Sequence, residues 1–96
     1  TKPDMRDLGV QEYHQRILEL GQKAIAELPT AEREFGGYAF NIRESSLPRA
    51  KQLIRDFCTE LMREIETAPG EGGETYQLGV QFFGLTQKSK KKEANK

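Results

Sequence analysis

His14 is the single histidine of the chain and Cys58 the single cysteine, so any histidine- or thiol-based chemistry must run through one of these two side chains. His14 follows Tyr13 and precedes Leu18 on an apolar-periodic stretch. No Cys, Asp or Glu stands at a helical or hairpin spacing that would complete a metal set with it. Cys58 lies between Ile54 and the Leu61-Met62 pair, on the apolar side of a second periodic stretch, and reads as a packed thiol. The carboxylate pairs Glu32 with Glu34 and Glu64 with Glu66 occur in charge-rich stretches that read as solvated surface, and they are assigned no acid–base work. Gly70-Glu71-Gly72-Gly73 lacks the lysine and Ser/Thr of a nucleotide-binding loop and follows a helical pattern where that loop follows a strand. It reads as a linker. No catalytic, cofactor or metal site emerges, and the chain is expected not to be an enzyme.

Composition sets the frame. Ninety-six residues suit one domain and are too few for two cores. Apolar residues make up 35% and charged residues 31%, enough for a globular body only because the apolar positions are patterned. No apolar run reaches the roughly 18 residues of a membrane span, and no basic-then-apolar leader opens the chain, so a cytoplasmic setting is expected. A lone cysteine agrees with a reducing compartment. The formal net charge is zero but unevenly placed. Lys88 to Lys96 carries five lysines against one glutamate, leaving ten basic and fourteen acidic residues in 1–87. An acidic body argues against direct nucleic-acid binding by this part, and the lysine cluster, without interleaved aromatics, could add only nonspecific attraction.

The elements that must position these residues follow from periodicity. Val10, Tyr13, Ile17, Leu18, Gly21, Ala24, Ile25 and Leu28 recur at threes and fours, predicting an amphipathic helix from Leu8 to Leu28 with Asp7 as its cap and Pro29 as its stop. Glu12 with Arg16 and Glu19 with Lys23 are spaced to pair on its wet face. Phe35 to Arg43 alternates, with Tyr38, Phe40 and Ile42 on one face, and predicts a half-buried strand. Ser45 or Ser46 is placed to cap a second helix with Pro48 in its first turn. That helix carries the stripe Leu47, Ala50, Leu53, Ile54, Phe57, Cys58, Leu61, Met62, Ile65 and Ala68. Thr75 to Leu85 predicts a second strand, with Tyr76, Leu78, Val80 and Phe82 on its core face and Gln77, Gly79, Gln81 and Phe83 on the other.

The resulting expectation is an α+β fold, a two-layer αβαβ body of two amphipathic helices on a small sheet. Residues 1–7 read as a leader or linker from a removed N-terminal region, 8–86 as the single domain and 87–96 as a disordered lysine-rich tail. A two-stranded sheet is a poor stopping point, and Thr75 to Gln87 contains no charged side chain to guard a free edge. A homodimer is therefore expected, with Tyr76, Gln77, Leu78, Val80, Gln81, Phe82 and Phe83 forming the strand through which two copies extend or pack the sheet.

Three stretches carry a resemblance: Tyr13-His14-Gln15-Arg16-Ile17-Leu18-Glu19-Leu20, then Glu32-Arg33-Glu34-Phe35 through Phe40-Asn41-Ile42, and Tyr76-Gln77-Leu78-Gly79-Val80-Gln81-Phe82-Phe83-Gly84-Leu85-Thr86. In order and spacing they resemble the C-terminal domain of unknown function of a paralogous family of bacterial proteins. Those proteins carry an N-terminal helix-turn-helix-like region and are regarded as transcriptional regulators. The resemblance spans Leu8 to Thr86. Gly84 stands where that family often has proline, which bears only on where the last strand ends. No catalytic residue comes with the resemblance, which singles out His14 and Arg33 as positions to mutate.

It implies a non-enzymatic regulatory and dimerisation module, whose DNA-binding region belongs to a part of the polypeptide absent here. The alternative is an effector- or peptide-sensing domain.

Overall fold

The computed structural model describes residues 5–86, which form two compact units. Residues 1–4 of the expected 1–7 leader and the lysine-rich tail, 87–96, lie outside the described residues, while residues 5–7 belong to the first helix.

The first unit holds helix α1, Met5–Glu27, and the segment from Tyr76 onward. α1 starts before Asp7, so Asp7 sits inside the first turn, where its negative charge meets the positive end of the helix dipole, and is not the cap. The last turn is carried one residue further by the Leu28 amide donating to Ala24 O at 3.0 Å. Pro29, with φ −69° and ψ 155°, has no amide to extend the helix and ends it. Ile17, Gly21 and Ala24, at spacings of four and three, are the half-buried positions of α1. Neither Glu12–Arg16 nor Glu19–Lys23 closes into an ion pair.

The second unit runs from Pro29 to Thr75. A 3-10 turn, Thr30–Glu32, is closed by the Glu32 amide on Pro29 O at 2.9 Å. A second 3-10 turn, Glu44–Ser46, leads without a break into helix α2, Leu47–Ile65. Neither serine caps α2 through its side chain as expected. Ser46 already has helical dihedrals (φ −87°, ψ −6°) and is followed two residues on by Pro48, which has no amide for it to accept, while the Leu47 amide that Ser45 could take bonds Glu44 O in the preceding turn. Pro48 falls in the first turn of α2, where its missing amide costs nothing. α2 ends where Glu66 turns to an extended conformation with its amide still on Met62 O at 2.9 Å.

The glycine run after α2 is an ordered loop and not a bare linker. The Glu71 amide donates to Ala68 O at 3.1 Å, the Ala68 amide to Glu71 Oε1 at 3.0 Å, and Thr67 Oγ1 to Gly72 O at 3.2 Å. Gly72 and Gly73, at φ 85° and 109°, take left-handed conformations that close this loop and that a side chain would strain.

The expected α+β class is overturned: among the described residues the regular structure is helical, with no strand and no sheet. Residues 35–43 and 74–85 are irregular. The physical reason is that a helix satisfies its backbone within its own segment, whereas a strand exists only beside a second backbone at ladder distance. Alternation in the sequence specifies which side chains could share a face but provides no partner. The strand Tyr76–Phe83 proposed to join two copies is accordingly a non-helical segment and not a strand.

None of the described residues is buried. Tyr38 is 88% exposed, Tyr76 80% and Phe83 71%. Within each unit, apolar side chains patterned for a core thus remain largely exposed.

Candidate functional site

Within the first unit, residues 77–81 lie along α1 and enclose a groove of about 210 Å³ with Tyr13, His14, Ile17 and Leu18. α1 supplies these four because residues one turn apart share a face: Tyr13 with Ile17, and His14 with Leu18. The opposite wall is built from Gln77, Leu78, Gly79, Val80 and Gln81.

Gly79 sets how closely the two walls approach. A Cβ placed on Gly79 would stand 3.0 Å from Ile17 Cγ2 and 3.3 Å from Gln81 Nε2. Contacts that short are tighter than most packed carbons make, so a side chain at position 79 would need Ile17 and Gln81 to give by a few tenths of an ångström for the segment to keep this depth on α1. Gly79 therefore meets α1 together with Leu78 and Val80 of the opposite, expected core face, so both faces of the segment contribute to the groove.

The groove joins an apolar floor of Ile17, Leu18, Leu78 and Val80 to the polar groups of Tyr13, His14, Gln77 and Gln81, and none of its lining residues carries a formal charge with His14 neutral. The Tyr13 and His14 rings meet edge to face, centroids 5.4 Å apart at 66°. The Gln77 amide donates to Leu78 O at 3.3 Å. Such a surface can hold an uncharged group by contact and hydrogen bonding, and it has no nucleophile–base pair.

Of the positions singled out by sequence, the structure gathers His14, Gln77, Leu78, Val80 and Gln81 at this groove, while Tyr76, Phe82 and Phe83 lie outside its lining. Arg33 belongs to the second unit, where its guanidinium carbon stands 5.7 Å over the Phe35 ring centroid. Cys58 is half-buried on α2 and unpaired as a thiol. Tyr13, Ile17, Leu18 and Gly79 were not among the expected site residues. The signal that could have found them is a small residue at the middle of an alternating segment, opposite a helix face with aromatic and branched side chains one turn apart.

Among the described residues no three His, Cys, Asp or Glu side chains gather to hold a metal ion, and no helix is long and apolar enough to cross a membrane. No curated protein and no solved structure matches the chain. A family model described as a domain of unknown function matches residues 1–85, nearly all of the sequence, and the chain belongs to that family, DUF4423.

Proposed function

We propose that this chain is a non-enzymatic assembly module, which pairs two copies of a bacterial regulator and thereby sets the spacing of DNA-reading regions carried elsewhere on the polypeptide. The observation that carries the reading is the uncovered apolar surface, with no described residue buried in a chain whose helices are patterned for a core. Covering such side chains is worth about 25 cal/mol for each Å² removed from water, and pairing of two copies is a route to that cover. The segment Tyr76 to Phe83 contributes to the contact, because Tyr76 and Phe83 are exposed outside the groove and the segment carries no charge to desolvate. The regulatory setting rests on the resemblance in Tyr13–Leu20, Glu32–Ile42 and Tyr76–Thr86.

Thermal melting across a hundredfold range of protein concentration tests this. Folding coupled to pairing gives a melting temperature that rises with concentration, and one that stays fixed contradicts it.

The groove on α1 favours a second reading, an effector- or peptide-sensing domain for an uncharged ligand. A metabolite or peptide that raises the melting temperature of the wild type but not of Gln81→Ala would support it. A screen with no such shift would count against it.

A further inference from the structure

We infer that α2 is the helix through which two copies meet, packed antiparallel about a twofold axis passing between Phe57 and Cys58; this rests on the homodimer reading above. The first half of α2 carries Arg49, Lys51 and Arg55, and the second carries Asp56, Glu60 and Glu64 with Arg63. This arrangement opposes the helix's own electrostatics. Basic residues occupy the half nearest the positive end of the dipole, with no acid in the first turn, and three i,i+4 pairs (Lys51 with Arg55, Asp56 with Glu60, Glu60 with Glu64) bring like charges together. Within the unit, Glu60 is relieved by Arg63 at 2.6 Å and Asp56 accepts from the Gln52 amide at 2.9 Å. Arg49, Lys51 and Glu64 gain no opposite charge there.

The same pattern is complementary to its own reversal, the requirement of a contact between identical surfaces. At about 1.5 Å of rise per residue, an antiparallel copy centred between Phe57 and Cys58 brings its Glu64 to the level of Lys51, about 3 Å along the axis from Arg49 and on the same flank of the contact as Arg49. A parallel copy in register would set basic half against basic half. Between these flanks lies the apolar face. Leu53 is 52% exposed, Phe57 59% and Met62 52%, around the half-buried Ile54, Cys58 and Leu61. Opposed dipoles and a shared apolar seam then act in the same direction as the charge pairing.

The test is a charge exchange in the full chain, read by sedimentation equilibrium and circular dichroism. Arg49→Glu should weaken dimerisation about five- to tenfold, since the contact is made twice per dimer. The same change places an acid near the helix start and should leave helix content equal or higher. Glu64→Arg should weaken the dimer likewise, and the double variant Arg49→Glu with Glu64→Arg should restore it. A dimer indifferent to both single changes, or a double variant weaker than either, overturns the α2 interface while leaving the dimer reading standing. A wild type that is monomeric throughout overturns both. As an orientation check in a Cys58→Ser background, a mixture of Arg49→Cys and Glu64→Cys chains should cross-link on oxidation while neither variant cross-links alone. Self-cross-linking of Arg49→Cys would instead establish a parallel pair and overturn the inference.

Discussion

Gly79 rests close on Ile17: a methyl at position 79 would meet Ile17 Cγ2 at 3.0 Å, tighter than an ordinary packing contact. The depth of the groove on α1 and the seating of the segment that follows Tyr76 both depend on this contact. Replacing Gly79 with alanine should lift residues 77–81 from α1, with a cost of about 1–3 kcal/mol for forcing a methyl into a closed contact. Ile17→Ala should relieve it, so the two changes together should cost less than their sum. Methyl chemical shifts of Ile17 and hydrogen exchange over 77–81 report the seating, and additive effects would contradict the contact.

Phe83 lies outside the groove and is 71% exposed. Phe83→Lys should leave the helix content of the chain unchanged and weaken its self-association, because the lysine would be desolvated in the paired state only. The measurement is the dimer dissociation constant beside the far-ultraviolet circular dichroism spectrum. An unchanged constant would remove Phe83 from the contact.

Gly72, at φ 85° with open space where a Cβ would lie, separates backbone strain from steric clash. Gly72→Ala should destabilise the loop by about 1–2 kcal/mol, the cost of a left-handed conformation in an L-residue, and Gly72→Asn should cost less. Hydrogen-exchange protection of the Ala68 and Glu71 amides is the readout. Equal protection in all three proteins would contradict the loop described here.

The Arg63–Glu60 pair is short at 2.6 Å, yet both side chains are more than half exposed, at 67% and 56%. Arg63→Gln should therefore change helix stability by no more than about 0.5 kcal/mol, as for other exposed helix pairs. Thermal melts at low and high salt check this, and a larger loss would place the pair in a less solvated setting.

The two helices were legible in the sequence because their hydrogen bonds close within a few residues and their apolar stripes repeat at helical spacing. Val10 to Leu28 and Leu47 to Ile65 carry that signal directly. What misled was alternation. Tyr38, Phe40 and Ile42, or Leu78, Val80 and Phe82, can share a face of an extended chain, but a ladder depends on a neighbouring backbone that no local pattern encodes. The Ser46 cap failed for a local reason, since Ser46 already has helical dihedrals and Pro48 has no amide for it to accept. His14 was reached through the resemblance, and Gln77, Leu78, Val80 and Gln81 through a strand that does not form. The structure brings all five to one groove because Gly79 lets their segment lie close on Ile17. That approach is a tertiary contact, visible in the sequence only as a glycine among alternating residues.

Sedimentation equilibrium of the full 96-residue chain, run from one to a hundred micromolar, tests the central claim most directly. Self-association through the uncovered apolar faces predicts a mass that climbs from 10.9 kDa toward twice that value as concentration rises. A mass fixed at 10.9 kDa across the series would contradict it, leaving the groove on α1 as the surface on which a function must be sought.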